Sequence, residues 1–376
     1  MARFLFQNYL PKSVLPESPR FAWRHPNGYP VFTESSESDR PSFIWFWKCL
    51  LPVEIQAEIP PIRRITQRRR RSDKVFRGVV TSGGLASFVI LGLIGGFLLY
   101  RGYEIFKDFG FSFITSSQWT AASEDGLIKA SFGLAAMLVG SLVTATVALA
   151  IATPFVIGVS LFLEYYAPKP LRAVLVSVLD LVSAIPSVIY GIWGYIVLMP
   201  YAAEWGRSIN KYLGWIPLFD VPAPIFDRSP FTSGLVLALM VVPIATSVTR
   251  EVYSRAPREQ FDAALALGGS RWGAIRAVVL PFGKSGLVGG SMLGLGRAIG
   301  ETVAVYLTLN LVFKVNFQIL ASAGGSIASL IAGHFGEAGP QELKALMAAG
   351  LVLFIVTLFI NTMASAVVMR STKDKS

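Results

Sequence analysis

The sequence predicts an all-α polytopic membrane protein with six transmembrane helices. Hydrophobic residues make up 53% of the 376 residues and only 15% are charged, whereas soluble domains average about 25% charged residues. Six apolar stretches are each long enough to cross a hydrocarbon core of about 30 Å as a helix that rises about 1.5 Å per residue. The stretches are residues 78–100, 130–163, 173–203, 229–249, 285–313 and 345–369.

Four of these stretches, the first, second, fourth and sixth, carry no charged residue and are predicted to be membrane helices, with Pro154 inside the second and Pro243 inside the fourth. The third contains one charge, Asp180, and a proline, Pro186, which predicts a kink because proline removes a helical hydrogen bond. The fifth contains Arg297 and Glu301. These three ionisable residues are therefore the ones that need an explanation at membrane depth.

The distribution of Lys and Arg predicts that both termini are cytoplasmic. With the N-terminus inside, the inner flanks hold 19 basic residues and the outer loops hold 8. Residues 63–77 alone hold eight of them, so we interpret this segment as a topogenic flank, with an anionic-lipid site as the alternative. We interpret the net charge of +11 as a bias of basic residues towards the cytoplasmic side, and we do not expect nucleic-acid binding. The predicted divisions are a cytoplasmic extension at 1–62, the basic flank at 63–77, the transmembrane domain at 78–370 and a cytoplasmic tail at 371–376.

The sequence predicts no enzymatic chemistry in this chain. The N-terminal extension is polar, proline-rich and aromatic, and we expect it to be poorly ordered or to dock on a partner and to be dispensable for transport. One cysteine, Cys49, excludes an internal disulfide framework, and His25 and His334 are too far apart in sequence to indicate a metal cluster. His334 is interpreted as a loop residue. Gly283-Lys284-Ser285 resembles the end of a phosphate-binding loop, but Val278 occupies the position of its first glycine.

The run from Asp262 to Pro281 has the pattern of a short helix, a glycine turn and a second short amphipathic helix that stops at the proline. Ala263 and Ala264 are small enough for another surface to approach closely. Gly268 supplies a backbone conformation that other residues resist. Arg271 opens the second helix and makes one side of it basic. Such a unit suits the membrane surface and a cleft in another protein.

This run resembles the EAA loop of ABC importer permeases. The signature is Glu-Ala-Ala, three residues, Gly, nine residues, Ile, one residue and Leu-Pro, with Asp262 here in place of Glu and Val278 in place of Ile. The resemblance implies a type I ABC importer permease, in which loop 255–281 couples to a separate ATPase that binds ATP and Mg. Without the resemblance, the run is a generic amphipathic loop helix. The matching residues are Asp262, Ala263, Ala264, Gly268, Leu280 and Pro281.

Arg297 and Glu301 are predicted to share one face of the fifth membrane helix, because they are one turn apart. A charge at the membrane centre costs at least about 2.5–3.5 kcal/mol by insertion scales, so both should face protein or water. Two interpretations stay open, an ion pair that fixes helix packing or a polar station on a pathway, where Arg suits an oxyanion. Small residues of the same face allow close helix approach or leave room for a substrate. They are Gly286, Gly290, Gly294, Ala304 and Thr308.

The other intramembrane charge, Asp180, is expected to have a structural role, either as a cap or as the partner of an arginine such as Arg250. Pro186, which follows it, belongs to the same structural group. A secondary transporter remains an alternative class, but it would show inverted repeats and paired broken helices, and the sequence indicates neither.

Four stretches, within residues 180–194, 243–251, 294–305 and 327–338, make the chain similar to PstC-type permeases of phosphate ABC importers. The resemblance implies that Arg297, Glu301 and Thr302 line the phosphate pathway. It also implies a prokaryotic plasma (inner) membrane, membrane lipid, a PstA-type sister permease, an ATPase dimer and an extracytoplasmic phosphate-binding protein. The alternatives are a permease for molybdate, tungstate or sulfate, and a membrane scaffold for phosphate sensing.

Overall fold

The structure, a computed structural model, describes residues 71–121, 129–221 and 225–373. The chain divides into two compact units, Met1–Lys74 and Val75–Ser376, and the second contains every element that positions the candidate site. The expectations for residues 1–62, for Cys49 and for the first part of the basic flank lie outside the described residues. The same holds for the last three residues of the tail.

The described chain is built from helices, which confirms the all-α prediction. The helices are α1 (Arg71–Phe109), α2 (Ser112–Thr115), α3 (Ala135–Leu161), α4 (Lys169–Ser183), α5 (Ser187–Trp193), α6 (Met199–Leu213), α7 (Pro230–Ser254), α8 (Arg258–Ala266), α9 (Arg271–Ala274), α10 (Leu280–Ile299), α11 (Val303–Thr308), α12 (Ile327–His334) and α13 (Pro340–Lys373). Three π-helical turns, Phe162–Tyr166, Gly194–Leu198 and Ile275–Val279, directly follow α3, α5 and α9. Two short strands, β1 (Trp119–Thr120) and β2 (Ser131–Phe132), pair antiparallel.

Five helical segments in the described part of the chain are long and apolar enough to cross a membrane, and a bent pair makes a sixth if it is one span. The first segment contributes no buried residue in its most apolar window, so the side chains of that window mostly face out of the chain, towards lipid or other subunits. The five segments are Ser72–Phe109, Ala135–Tyr166, Pro230–Ser254, Arg271–Ile299 and Pro340–Met363, and the bent pair is Lys169–Ser183 with Ser187–Leu213.

Two predicted spans are not continuous helices. Stretch 173–203 turns by 90° at the break before Ser187, and Pro186 lies in this break, as the proline predicted. The prediction of one helix across 285–313 is wrong, because α10 ends at Ile299 and α11 is a separate six-residue helix. Gly300, which has a low helix propensity, lies at the C-terminal end of α10.

Helices α3, α7 and α10 form the central core of the membrane unit. The glycines predicted to line one face of the fifth span pack directly against α7, so the close-approach interpretation of these glycines is the correct one. A Cβ atom added to Gly290 would lie 2.8 Å from the carbonyl oxygen of Ala245. Close backbone contact of this kind holds membrane helices together by van der Waals packing. The matching contacts are Gly286 with Val252 and Gly294 with Val241.

A polar cluster ties the β1–β2 hairpin to α12 and α13. The indole N–H of Trp119 donates to Oε1 of Glu342 at 2.8 Å, and Nδ1 of His334 lies 3.0 Å from the same oxygen. Phe313 stacks on the Trp119 ring with 6.2 Å between centroids. His334 is thus the last residue of α12 rather than a loop residue, and its partner is a mostly buried carboxylate.

Candidate coupling loop and membrane-embedded site

The predicted helix–turn–helix unit is present at residues 258–274. Helix α8 has no buried residue. It is followed by Gly268, whose φ of 84° lies in the left-handed region and confirms the predicted glycine turn. Ser270 then caps α9, because its hydroxyl accepts a hydrogen bond from the backbone N–H of Gly273 at 3.1 Å. The local sequence therefore fixes both the turn and the start of the second helix.

The second helix does not stop at Pro281, and that prediction is wrong. The segment Arg271–Ile299 is one candidate membrane span, in which α9, a π turn and α10 follow one another. In the π turn, the backbone N–H of Leu280 donates to the carbonyl of Ile275, five residues earlier. Pro281 then falls in the first turn of α10, where proline is tolerated. The loop is consequently continuous with the membrane helix that carries Arg297.

The tip of the loop exposes apolar side chains. Leu267 is 91% exposed and Trp272 is 53% exposed, although both lie in the part of the molecule predicted to meet the cytoplasm. Exposed apolar side chains next to charged ones are typical of a surface that another protein covers. Among the predicted coupling residues, Asp262, Ala263 and Arg271 are exposed. Gly268 and Pro281 are exposed as well, whereas Ala264 and Leu280 are half-buried.

The base of the loop is anchored in the protein. Ile275 and Val279 have no exposed surface and pack with Tyr253 of α7 and Leu161 of α3. On one side of this anchor lies a cleft of ≈ 230 Å³ lined by Asp262 and Arg271, among other residues. A loop with an exposed tip and a buried base can pass the motion of a partner to the membrane helices.

Arg297 and Glu301 are close to each other in the sequence, but they do not lie on one helix face in the structure. Arg297 is exposed in the last turn of α10, whereas half-buried Glu301 lies in the break between α10 and α11. Thr302, also in the break, donates its hydroxyl to the carbonyl of Gly300 at 3.3 Å. Within the described residues, no ion pair joins Arg297 to Glu301. The structure therefore does not contain the packing ion pair that one of the two interpretations expected.

The bend between α4 and α5 lies beside this break. Helix α5 packs on α11 so closely that a Cβ atom on Gly191 would be 2.9 Å from the Cα atom of Ala304. Tyr190 donates its hydroxyl across the bend to the carbonyl of Val182 at 2.7 Å. Neither Tyr190 nor the break at Gly300 was predicted from the sequence, and the helix breaker that pointed to this region was Pro186.

Asp180 and Arg250 are not brought together. Asp180 is exposed on α4, and Arg250 is half-buried near the end of α7. The structure shows no ion pair between them in the residues it describes, so pairing with Arg250, one of the structural roles expected for Asp180, is not observed. The neighbour of Arg250, Glu251, instead pairs with Arg255 at 2.8 Å on the exposed surface. Over the described ranges, no group of His, Cys, Asp and Glu residues is arranged to hold a metal ion.

Comparison with known proteins gives relatives over most of the chain. PstC 2, a phosphate transport system permease protein of Mycobacterium tuberculosis, is 36% identical over 301 residues, which cover 79% of this chain and 92% of that protein. PstC of Pasteurella multocida is 36% identical over 307 residues, covering 80% and 93%. PstC of Mesorhizobium japonicum is 33% identical over 324 residues, covering 84% and 97%. These relatives are named as permeases and not as enzymes.

Solved structures similar to this chain include a bacterial alginate ABC transporter, with a TM-score of 0.49 and 17% identity over 81% of this chain and 99% of that one. The MetNI methionine ABC transporter matches with a TM-score of 0.44 and 15% identity, over 62% and 96%. The family model described as "Binding-protein-dependent transport system inner membrane component" matches residues 155–373. This chain therefore belongs to the family of binding-protein-dependent inner membrane transport components, as a multi-pass permease subunit.

Proposed function

We propose that this chain is the PstC-type permease subunit of an ATP-driven importer of inorganic phosphate. The observation that carries the proposal is the alignment with PstC permeases, which covers 92% of the first relative and 97% of the third at 36% and 33% identity. These relatives are named for phosphate transport. A permease of this size forms half of the translocation pathway, and its partner is a PstA-type sister permease.

Coupling to ATP hydrolysis takes place at the exposed tip of loop 255–281. The apolar tip residues Leu267 and Trp272 enter a cleft of a cytoplasmic ATPase, and two copies of that subunit bind ATP and Mg. The exposure of the tip supports this role, because an uncovered tryptophan and leucine beside Arg271 match a docking surface. An extracytoplasmic phosphate-binding protein delivers the substrate from the opposite side.

The coupling role requires that both termini lie in the cytoplasm, as the basic-residue distribution predicts. Residues 1–62 then form a cytoplasmic extension that is not needed for the transport step. The basic flank at 63–77 fixes the orientation, and the transmembrane domain at 78–370 contains the pathway. Asp180, Pro186 and Arg250 have structural roles, Pro186 at the bend between α4 and α5.

The pathway passes the break between α10 and α11, where Arg297, Glu301 and Thr302 act on the anion. Arg297 attracts the charged oxygens of phosphate with a permanent charge and a planar set of donors. Glu301, as a carboxylate, accepts a hydrogen bond from the P–OH group that phosphate retains near neutral pH. It also offsets the charge of Arg297, so that the site releases the anion, as a conduction pathway requires.

Uptake of labelled phosphate by cells that depend on this chain tests the proposal. Excess unlabelled phosphate should abolish the uptake, and the same excess of sulfate, molybdate or tungstate should leave it. Competition by one of these oxyanions, together with uptake of its labelled form, would assign the permease to that oxyanion instead. Normal phosphate-dependent signalling without any uptake by the assembled complex would make the chain a sensing scaffold.

A further inference from the structure

The π turn Phe162–Tyr166 at the end of α3 contacts four other elements. Its defining hydrogen bond runs from the backbone N–H of Ala167 to the carbonyl of Phe162 at 2.8 Å. A π turn is wider than an α-helical turn, and such turns occur frequently at functional sites. Here Leu163 is fully buried in the protein, whereas the next three residues contact four other helices, α4, α7, α8 and α9.

The first contact joins the π turn to α4. Glu164 is only 8% exposed at its side chain and forms an ion pair with Arg172 of α4. Because α4 leads to the bend at Pro186, this ion pair connects the turn to the helix that reaches the embedded site. A carboxylate so little exposed keeps its partner in place, since a lone buried charge is costly.

The second contact is made by Tyr165, which bridges two elements at once. Its hydroxyl donates to the backbone carbonyl of Tyr253 in the last turn of α7 at 2.9 Å. Its ring packs on the ring of Phe261 in α8, with 5.3 Å between centroids and 30° between planes. One side chain therefore holds the first helix of the coupling loop against a core membrane helix.

The third contact reaches the second helix of the loop. The guanidinium of Arg271, the first residue of α9, lies over the ring of Tyr166 with 5.7 Å to its centroid. Both helices of the coupling loop are thus contacted by adjacent residues of one turn. Since α8 has no buried residue of its own, these contacts are important in fixing the position of α8.

We infer that the π turn Phe162–Tyr166 transmits movement of the coupling loop to α3, α4 and α7, with Tyr165 as its central positioning residue. The inference rests on the proposed function, because it requires that an ATPase moves the loop. When α8 moves, the packed rings of Phe261 and Tyr165 carry the movement to the π turn. The hydroxyl bond to Tyr253 and the ion pair of Glu164 then distribute it to α7 and α4.

The test uses the complete transport complex in proteoliposomes, where phosphate uptake and ATP hydrolysis are measured together. Tyr165→Phe removes the hydroxyl and keeps the ring, and Phe261→Leu removes the stacked ring and keeps the hydroxyl bond. Each should lower the number of anions moved per ATP by about 3- to 10-fold, the factor expected for the loss of one ordinary hydrogen bond or packing contact. Tyr201→Phe, on an exposed tyrosine of α6, is the matched control and should change nothing.

Co-purification of the ATPase separates transmission from assembly. The inference predicts that both variants retain the ATPase and that the double variant is less impaired than the product of the single effects, because the two contacts act in series. An unchanged ratio of uptake to hydrolysis in the single variants would overturn the inference. So would a proportional fall of uptake and hydrolysis, or loss of the ATPase in both variants, which would make Tyr165 merely structural.

A second measurement does not depend on which anion is transported. Spin labels at Gln260 of α8 and Ser177 of α4, in a Cys49→Ser chain, report whether the loop and α4 move together. Their distance should stay constant between the nucleotide-free and ATP-bound complexes of the otherwise unaltered chain, and should shift or broaden in Tyr165→Phe. Equal behaviour of the two chains would refute transmission. Failure to transport phosphate would contradict only the proposed substrate.

Discussion

Arg297 and Glu301 are separated by the end of a helix, since Arg297 lies in the last turn of α10 and Glu301 in the break that follows Ile299. Neither side chain pairs with the other in the described part of the chain. Two ionisable groups at membrane depth are costly unless they meet water, substrate or another subunit. The break therefore leaves both groups available to a third component, which a packing ion pair would not do.

The first prediction concerns selectivity at this break. Glu301→Gln removes the negative charge and keeps the size of the side chain, so sulfate should no longer be repelled. We expect phosphate uptake to persist and competition by sulfate to strengthen by about tenfold, the factor that about 1.4 kcal/mol of discrimination supplies. Sulfate inhibition curves for labelled phosphate uptake measure this. Glu337→Gln in the exposed loop after α12 is the control. Loss of all uptake without a change in selectivity would rule out the hydrogen-bond role of Glu301.

The second prediction concerns the glycine turn of the coupling loop. Gly268 has a φ of 84° and no neighbouring atom within 4 Å of an added Cβ, so the backbone and not space limits substitution. Gly268→Val should distort the turn and uncouple ATP hydrolysis from uptake, because β-branched residues resist this conformation. Gly268→Asn should remain coupled, since Asn tolerates it better.

ATP hydrolysis and phosphate uptake by the purified complex, measured side by side for both variants, test this prediction. Equal coupling in the valine and asparagine variants would mean that the conformation at residue 268 is not important for coupling.

The third prediction concerns packing between α10 and α7. Gly290→Ala places a Cβ atom 2.8 Å from the backbone oxygen of Ala245 and should destabilise the protein by about 1–3 kcal/mol. Gly84→Ala in α1 meets no atom within 4 Å and should be neutral or stabilising. Thermal unfolding of the purified complex compares the two. A melting temperature that does not fall in Gly290→Ala would contradict the packing derived from the structure.

The fourth prediction concerns orientation. In a Cys49→Ser chain, a cysteine at Leu267, which is 91% exposed, should be inaccessible to a membrane-impermeant maleimide in sealed cells. A cysteine at Asp220, in the loop between α6 and α7, should react from outside. The cells express the permease without its ATPase subunit, so that the tip of the coupling loop is uncovered, and labelling after permeabilisation shows that both cysteines are reactive. Reaction of the Leu267 position in sealed cells would reverse the proposed topology.

Part of this architecture was predictable because single residues dictate it. Pro186 predicts the bend between α4 and α5, since proline removes a helical hydrogen bond, and Gly268 predicts the turn of the coupling loop. The spacing of the glycines of α10 indicated either close helix packing or room for a substrate, and the structure shows the close packing. In each case, a local backbone property determines the structure, so no knowledge of distant residues is needed.

The remaining features depend on contacts that the sequence pattern does not display. The break after Ile299 was missed because Gly300 lies in an apolar, small-residue stretch whose helical periodicity continues on both sides. The continuation of the helical segment past Pro281 was missed because no particular amino-acid composition marks a π turn. Tyr165 was missed because its two partners, Tyr253 and Phe261, are far along the chain and become neighbours only in the folded protein.

Uptake of labelled phosphate by Arg297→Gln, normalised to the amount of assembled complex, tests the central claim most directly. Arginine supplies a permanent charge that glutamine lacks, so we expect uptake to fall by about tenfold or more while the ATPase still co-purifies. Lys284→Gln, an exposed cation near the other end of α10, is the control and should transport normally. Normal phosphate uptake by Arg297→Gln would contradict the account, because the pathway would then lie on another face of the protein.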